Sequence, residues 1–339
     1  MADKVLGSFV WCELLTTDTA AADSFYKKVV GWTSVPFAPD GSYSVLNNPA
    51  GAGVGGLMKL PDSAKQMGAP PHWLMYLGTP NVDDTVMRIV SLGGRVHKQP
   101  EDIPNVGRFA VVQDPYGAAF ALLTPKPAPG TPERKRGGVG DFSWFELYTP
   151  NPEGAWKFYQ TLFGWEKTSA MDMGEMGVYQ MFGRGGAIPN GGIMKPPPGA
   201  PAAWMPYALV KDAKAAAATA TANGGKIVNG PMEVPGGDWI AQGMDPQGAM
   251  FAVHSLNPGA KAAAPAAAKT AAPTSGKATS GKPAKKKAAK KAAKTAAPKK
   301  AKARPVKKSA KKAKPAKKKA ARKAAKKKAA KKKAASRKK

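Results

Sequence analysis

The chain contains one stretch of sequence twice, and this duplication limits its possible folds more than any other feature. The segment FVWCELLTTDTAAADSFYKKVVGW begins at Phe9, and FSWFELYTPNPEGAWKFYQTLFGW begins at Phe142. Ten of these 24 aligned positions are identical. Farther along, DPYGAAFALL from Asp114 matches DPQGAMFAVH from Asp245. The repeat predicts two copies of one domain.

A segment rich in proline, glycine and charge joins the two copies. It reads PKPAPGTPERKRGG, a composition typical of a linker. We assign residues 1–125 to the first domain, 126–138 to the linker, 139–257 to the second domain and 258–339 to a tail. Each domain is long enough to form its own hydrophobic core.

Each copy alternates a strand, a helix and several strands, and then repeats that order. In the first copy, residues 9–15 have the pattern of a half-buried strand, Asp18 can cap the following helix, and Gly31 can end it. A second strand and helix lead to the pair Gly93-Gly94. The pattern predicts an α+β fold of two tandem domains, in which two βαβββ units form a cupped mixed sheet with helices outside.

These motifs resemble those of the vicinal oxygen chelate superfamily, which includes glyoxalases, bleomycin-resistance proteins and extradiol dioxygenases. The features in common are the opening strand, D-x-x-x-A-x-x-FY, a GW pair, a restart ending in GG, and DPxGxxF. The resemblance covers residues 5–257. With W-x-E-L near each start, the chain is similar to the bacterial two-domain, glyoxalase-like branch.

Enzymes of this superfamily typically hold a divalent metal with a His or Gln on the first strand, a His or Glu on the restart strand and a Glu on the last strand. Alignment on the FY and DPxG motifs places six apolar residues at these positions: Trp11, Leu74 and Ala121 in the first copy, and Trp144, Met205 and Ala252 in the second. None offers an oxygen or imidazole nitrogen to a cation. We therefore expect no metal site, no other cofactor and no metal-dependent chemistry.

The two-residue period of strands predicts which side chains line each cup. The expected ligand-binding residues are Phe9, Trp11, Glu13, His72 and Tyr76 in the first copy, and Phe142, Trp144, Glu146, Tyr207 and His254 in the second. Such a lining suits a flat, apolar or aromatic small molecule. Bleomycin-resistance proteins likewise bind ligands without metal chemistry, so the resemblance agrees with this interpretation.

Several of these residues also have a structural interpretation. Trp11 and Trp144 are equally suited to fill the interior. A buried Glu13 or Glu146 needs a partner, which is a backbone N–H or an arginine such as Arg108 in a structural role. In a functional role, the carboxylate anchors a ligand or acts as a general base.

Other features favour structural roles. His72 and His254 occupy non-equivalent positions in the two copies, which favours a solvated or core role for each. Cys12, the single cysteine, is expected to be buried and inert, and its isolation indicates a reducing compartment. The glycine-rich stretches at Gly51 and Gly183 precede no helix, so we expect loops and not phosphate-binding sites.

The positive charge is concentrated at the C-terminal end. The 339 residues carry 53 Lys+Arg and 22 Asp+Glu, a net charge of +31; residues 261–339 contain 33 of the basic and none of the acidic residues. From residue 258 the sequence consists mostly of Ala, Lys and Pro with some Ser and Thr. Such a composition has too few large apolar side chains to form a core, so disorder is expected. The AAKK and AKKKAA units resemble the C-terminal domain of linker histone H1 and the tails of bacterial H1-like proteins.

This tail is predicted to bind DNA without sequence specificity through residues 261–339, by releasing counterions. RNA or other polyanions, or a purely solubilising role, are the alternatives. We expect the contacts to come from its basic clusters: Lys285, Lys286, Lys287, Lys290, Lys291, Lys317, Lys318, Lys319, Arg322, Lys323, Lys326, Lys327, Lys328, Lys331, Lys332 and Lys333. No secretory signal or 18-residue apolar run is present, so we expect a cytoplasmic, nucleoid-associated protein that does not enter membranes.

The sequence leaves three interpretations of the duplicated part open. The first is a metal-free small-molecule-binding protein, similar to bleomycin-resistance proteins, that the tail tethers to DNA. The second is a glyoxalase-like lyase, isomerase or dioxygenase-family enzyme in which Glu13 or Glu146 acts as the base. A passive fold that carries an active tail is a third. We expect a monomer whose two domains pair with each other.

Overall fold

The computed structural model describes residues 5–126, 136–185 and 189–257. Within them, two mixed eight-stranded sheets with helices outside follow one another along the chain. The predicted α+β fold of two tandem domains is confirmed. Most of the predicted linker and the entire tail lie outside the described residues.

In the first copy the elements are β1 (Phe9–Thr16), α1 (Thr19–Val29), β2 (Thr33–Pro36), β3 (Tyr43–Asn47), β4 (Gly53–Lys59), α2 (Asp62–Gln66), β5 (His72–Gly78), α3 (Val82–Ser91), β6 (Arg95–Ile103), β7 (Gly107–Gln113) and β8 (Ala119–Pro125). In the second copy they are β9 (Phe142–Tyr148), α4 (Pro152–Phe163), β10 (Glu166–Asp172), β11 (Val178–Gly183), β12 (Gly191–Met194), β13 (Ala203–Leu209), α5 (Ala213–Ala222), β14 (Lys226–Glu233), β15 (Trp239–Met244) and β16 (Met250–Ser255). A short 3₁₀ turn, Gly174–Met176, separates β10 from β11.

The strand order is the same in both sheets. It is β2-β3-β4-β1-β5-β8-β7-β6 in the first copy and β10-β11-β12-β9-β13-β16-β15-β14 in the second. The first strand of each βαβββ unit therefore lies at the centre of its sheet, antiparallel to the first strand of the other unit. The candidate site residues on β1 and β5, and likewise those on β9 and β13, therefore lie on two strands that are hydrogen-bonded to each other.

One irregularity in the central pair changes which side chains share a face. In the first copy Trp11 is opposite Tyr76, whereas Phe9 is opposite Leu77, so Val10 is an extra residue between them. The second copy has the same shift near the start of β9. A bulge of this kind inverts the alternation of side chains on one side of it.

The helices of the two copies share one hydrophobic core. This core contains buried side chains from both copies, among them Phe25 and Trp32 of the first and Trp165 of the second. The α1 ring of Phe25 packs edge-on against Phe251 of β16, with the ring centroids 5.5 Å apart. The two domains are therefore held together by the helix-covered faces of their sheets.

Two matched hydrogen bonds cross between the copies inside this core. The Tyr26 hydroxyl donates to Asp245 Oδ2 at 3.1 Å, and the Tyr159 hydroxyl donates to Asp114 Oδ2 at 3.0 Å. Each aspartate begins the DPxG turn of the opposite copy. The repeated FY and DPxG motifs thus meet across the interface, which gives them a structural role. Among the described residues, no helix has the length and apolar character needed to cross a bilayer.

Candidate functional site

Each sheet has a second face, opposite the shared core, with its own cluster of side chains. We call these clusters the first cup and the second cup. The first cup contains Leu15, Leu60, Leu74, Tyr76, Ala121 and Leu123, with Val10, Trp11, Met58, Phe109 and Val111 packed against them. The second cup contains Met205, Tyr207 and Ala252, with Trp144, Tyr148 and Ile240 packed against them.

The positions that hold metal in enzymes of the resembled family all lie in these cups. They carry indole, aliphatic or thioether groups in both copies, which are unsuited to a hard or borderline cation. In the described parts of the chain, no three His, Cys, Asp or Glu side chains come close enough to share a metal ion. The residues present therefore do not fit the family's metal.

Glu13 lies at the centre of the first cup, held by two tyrosines. Its carboxylate is buried, accepts the Tyr76 hydroxyl at 2.9 Å and is also hydrogen-bonded by Tyr43. Burial raises the pKa of Glu13, and these hydrogen bonds partly oppose that rise. The indole N–H of Trp11 donates to Tyr43 at 2.9 Å. Arg108, the arginine that the sequence suggested as a structural partner, instead forms ion pairs with the exposed carboxylates of Asp83 and Asp102.

Glu146 occupies the same place in the second cup, in a larger polar cluster. It is 4% exposed, and the hydroxyls of Tyr207 and Tyr148 are hydrogen-bonded to it. Gln242 Nε2 donates to Tyr148 Oη at 3.0 Å and lies 3.4 Å from Glu146 Oε2. Burial raises the pKa of Glu146 to about 7. A carboxyl group in this range exchanges protons readily at neutral pH.

A glycine makes room for one tyrosine ring in each cup, Tyr43 in the first and Tyr179 in the second. Gly56 is beside Glu13 in the sheet, and a Cβ atom there would lie 1.9 Å from the Tyr43 hydroxyl oxygen. A Cβ at Gly192 would lie 2.1 Å from Cζ of Tyr179. Both glycine-rich stretches thus end in strands β4 and β12, so the expectation of loops was wrong for these parts. The absent side chain lets a phenol ring lie across the sheet.

A second hydrogen-bonded chain crosses one end of the second cup. His254 Nδ1 lies 2.9 Å from Ser143 Oγ, and His254 Nε2 lies 3.0 Å from Asp238 Oδ2. The other oxygen of Asp238 accepts the backbone N–H of Asn257 at 2.9 Å. His254 is on the same face of β16 as Ala252 of the cup, as strand alternation predicts. It is paired on both ring nitrogens and is not a solvated histidine.

Two of the ten expected lining residues lie on the wrong face for that role. Phe9 stacks on Phe145 in the shared core, with ring centroids 3.7 Å apart. Phe142 packs against Trp32 and Trp73 in the same core. The bulges in β1 and β9 turn both rings away from the cups, so their predicted placement was wrong.

The other expected positions follow the strand alternation. Trp11, Glu13 and Tyr76 meet in the first cup, and their counterparts meet in the second. His72 begins β5, where its Nδ1 lies 2.7 Å from the Pro70 carbonyl oxygen and burial lowers its pKa. A role for these residues in ligand binding stays a prediction. Cys12 is buried on the core side, and burial raises the pKa of its thiol.

Sequence reasoning missed Tyr43, Tyr179 and Gln242. The two tyrosines are equivalent in space but 136 positions apart, whereas the aligned motifs are 133 or 131 apart. The repeat alignment therefore does not bring them together. Gln242 could have been found from the repeat alignment. It stands in the segment before DPxG at the position where the first copy has the apolar Val111.

Comparison with known proteins gives the same family for both copies. The model of the Glyoxalase/Bleomycin resistance protein/Dioxygenase superfamily matches residues 8–122 and 141–253. The chain is 35% identical over 246 residues to the putative glyoxylase CFP32 of Mycobacterium tuberculosis, covering 72% of this chain and 92% of that protein. It is 30% identical over 285 residues to the anthracycline biosynthesis protein DnrV of Streptomyces peucetius, covering 76% and 96%.

Solved structures share the fold at low sequence identity. The Mn(II)-bound glyoxalase from Novosphingobium aromaticivorans matches with a TM-score of 0.51 and 17% identity, over 74% of this chain and 82% of that one. The 2,3-dioxygenase LapB from Pseudomonas sp. KL28 matches with a TM-score of 0.51 and 13% identity, over 74% and 93%. The resemblance drawn from the repeated motifs is confirmed, while the linker-histone resemblance of the tail remains a prediction. The chain belongs to the glyoxalase/bleomycin resistance protein/dioxygenase superfamily.

Proposed function

We propose that this protein binds a flat aromatic small molecule in its second cup without the metal of its family, and that its tail holds it on DNA. The proposal of metal-free ligand binding rests on the side chains that line the second cup. Trp144, Met205 and Ala252 stand where metal ligands would be expected, and Tyr207 and Tyr148 are hydrogen-bonded to the buried carboxyl of Glu146. Aromatic and thioether surfaces with a few placed polar groups are typical of small-molecule sites.

The similarity to DnrV supports an aromatic ligand. That protein is described as an anthracycline biosynthesis protein, and anthracyclines contain fused planar rings. Aromatic side chains pack well against such rings by offset stacking. A fluorescent anthracycline is therefore the first probe to test.

Fluorescence titration of the full chain with that anthracycline tests the binding. We expect one saturable site, and Trp144→Ala should weaken binding at least about tenfold through lost aromatic contact. Trp11→Ala, the matched change in the first cup, should leave the affinity within about twofold. Absence of saturable binding, or purification with stoichiometric manganese, iron, nickel or zinc, would contradict the proposal.

An enzyme in which Glu146 is the general base is the second candidate. The pKa near 7 that burial gives this carboxyl favours it, because a base with a pKa close to the working pH transfers protons efficiently. The relative named as a glyoxylase suggests the hemithioacetal of methylglyoxal and a thiol as the trial substrate. Glu146→Gln should then lower kcat at least about a hundredfold, with Glu13→Gln as the control. Absence of turnover by the native chain would leave the binding function.

The tail proposal rests on charge alone. Residues 261–339 carry 33 positive and no negative side chains, whereas residues 1–260 have a net charge of −2. Polycations bind DNA by releasing counterions, so affinity falls steeply with salt. We propose that this interaction places the protein on the nucleoid.

DNA retardation over a range of salt concentrations tests this part. With about ten phosphate contacts, the slope of log affinity against log salt should be near −9. A full-length variant with the sixteen named tail residues changed to Gln keeps 17 of the 33 basic residues and should lose about half of that slope. An unchanged slope would contradict the assignment, and a stronger preference for RNA or polyphosphate would move the tail to that polyanion.

A further inference from the structure

We infer that the second cup contains a hydrogen-bonding subsite that the first cup lacks, and that it selects aromatic ligands carrying both a hydroxyl and a carbonyl oxygen. This inference rests on the proposed binding function and specifies its ligand class. The two cups can be compared position by position. At each position where they differ, one copy shows that the fold also accepts the other type of side chain.

Five equivalent positions carry an apolar residue or a glycine in the first copy and a polar residue in the second, whereas His72 of the first copy is matched by Ala203 in the second. The pairs are Val10 and Ser143, Leu15 and Tyr148, Gly107 and Asp238, Val111 and Gln242, and Leu123 and His254. Four of the first-copy residues pack in the apolar cluster of the first cup, which places the changes on the cup face.

The fold does not need these polar groups. The first sheet has the same strand order with apolar residues at the same places. Gln242 is only 6% exposed, and its amide is hydrogen-bonded to Asn229 and Tyr148, so its burial depends on a polar network that the first copy does not have. Since a simple apolar packing exists in the sister copy, the polar set in the second cup is best explained by a ligand.

The polar residues form two groups at different depths along the strands. In one cross-strand row, Gln242 is opposite Ala252, which is beside Tyr207. His254 is two residues farther along β16, opposite Ile240. Two residues along a strand span about 7 Å. A fused-ring ligand carrying oxygen atoms at separate positions can reach both groups at once.

The chemistry of the two groups defines the ligand class. The inner group offers a carboxyl from Glu146, a phenol from Tyr148 and an amide from Gln242. The outer group offers the hydroxyl of Ser143, whose donor or acceptor role is set by the tautomer of His254, and the two ring nitrogens of that histidine are paired with Ser143 and Asp238. Both groups can donate to a carbonyl oxygen and accept from a phenolic hydroxyl.

Calorimetric titration with two related probes tests the inference. The first is 6-hydroxy-2-acetonaphthone, which carries a phenol and a ketone at opposite ends of its two rings, and the second is naphthalene, which carries neither. The native chain should bind the oxygenated probe at least about tenfold more tightly. The variant Tyr148→Leu, Gln242→Val, His254→Leu installs the first copy's residues and should reduce this preference to within about threefold.

The reciprocal variant in the first cup is the control. Leu15→Tyr, Val111→Gln, Leu123→His leaves the second cup intact and should keep the preference of the native chain. If the triple variant of the second cup does not fold, Gln242→Val and His254→Leu singly should each reduce the preference about threefold.

The outcomes separate this inference from the proposed function. Equal binding of both probes by the native chain would overturn the subsite and leave the aromatic site standing. Binding of neither probe, together with failure of the anthracycline titration, would refute the proposed function itself. An undiminished preference in the triple variant of the second cup would also overturn the inference.

Discussion

The two cups hold the same carboxyl group in different surroundings. In the first, Glu13 meets two tyrosines and is otherwise bordered by aliphatic side chains such as Leu15 and Leu74. In the second, the hydrogen-bonded cluster around Glu146 includes the amide of Gln242. A separate hydrogen-bonded chain of Ser143, His254 and Asp238 lies at one end of this cup. The shared parts belong to the fold, and the differences lie at the positions that the proposed ligand experiments probe.

The interface between the copies is nearly symmetric, unlike the cups. Tyr26 and Tyr159 make equivalent bonds to aspartates of the opposite copy, and Trp73 and Trp204 each donate to one of those tyrosines at 3.1 and 3.0 Å. Symmetry has thus been kept where both copies must pack together. It has been lost on the opposite faces of the sheets, in the two cups.

The largest expected effect concerns the pH dependence of stability. Because the folded state raises the pKa of Glu146 to about 7 from 4.5, it binds this proton more tightly than the unfolded chain does. The free energy of unfolding should therefore fall as pH rises from about 4.5 through 7 and level off above that. Glu146→Gln should remove about 3 kcal/mol of this fall.

Chemical denaturation at pH 4.5, 6 and 8 measures this effect. Glu13→Gln is the matched variant, and its effect should have the same sign, since burial also raises the pKa of Glu13. If the unfolding free energy of Glu146→Gln follows the same pH curve as the native chain, the carboxyl is not held protonated by the fold.

The second prediction concerns the glycines beneath the tyrosines. Gly192→Ala places a methyl group 2.1 Å from the nearest atom of Tyr179 and should push the phenol away from the Trp144 indole. Overpacking together with a lost hydrogen bond should cost about 2 to 3 kcal/mol. Gly56→Ala should cost a similar amount, because the contact with Tyr43 is as close.

Denaturant unfolding with tryptophan emission measures both the cost and the displaced indole. Gly138→Ala is the control, since the nearest atom to a Cβ there is 3.9 Å away, and it should stay within about 0.5 kcal/mol of the native chain. A loss at Gly192 much larger than at Gly56 would mean that the second tyrosine also supports the polar cluster.

Much of the fold could be predicted because it depends on local patterns that occur twice. The alternation in β1 places Trp11 and Glu13 on one face, and the Asp18 side chain caps α1 by accepting the Ala21 N–H. The bulge could not be predicted in this way. It depends on how β1 pairs with β5, and one unmatched residue is enough to turn Phe9 into the core.

The candidate site was predicted in part for the same reason. Glu146 and Tyr207 are on central strands with clear alternation, so their meeting follows from register. Tyr179 comes from β11, which reaches the cup only through the folded sheet. The partners of a side chain are a tertiary property, and sequence spacing does not encode them when segment lengths differ between the copies.

The smallest expected effect tests the symmetric half of the comparison. Tyr26→Phe and Tyr159→Phe each remove one hydroxyl that donates to an aspartate of the opposite copy and accepts a tryptophan N–H, and should each cost about 1 to 2 kcal/mol. The aspartates keep their backbone N–H donors from their own turns, which limits the loss. Thermal unfolding of the two variants and of the double variant measures the costs.

The two costs should match within about 0.5 kcal/mol and should add in the double variant, since the bonds lie at separate places in the core. Burial of Tyr26 and Tyr159 is equally complete, so neither site has a solvent contact that would soften the change. Unequal costs would mean that the interface has also diverged. In that case the polar residues of the second cup could reflect general drift of one copy, and the ligand experiments alone would have to establish their use.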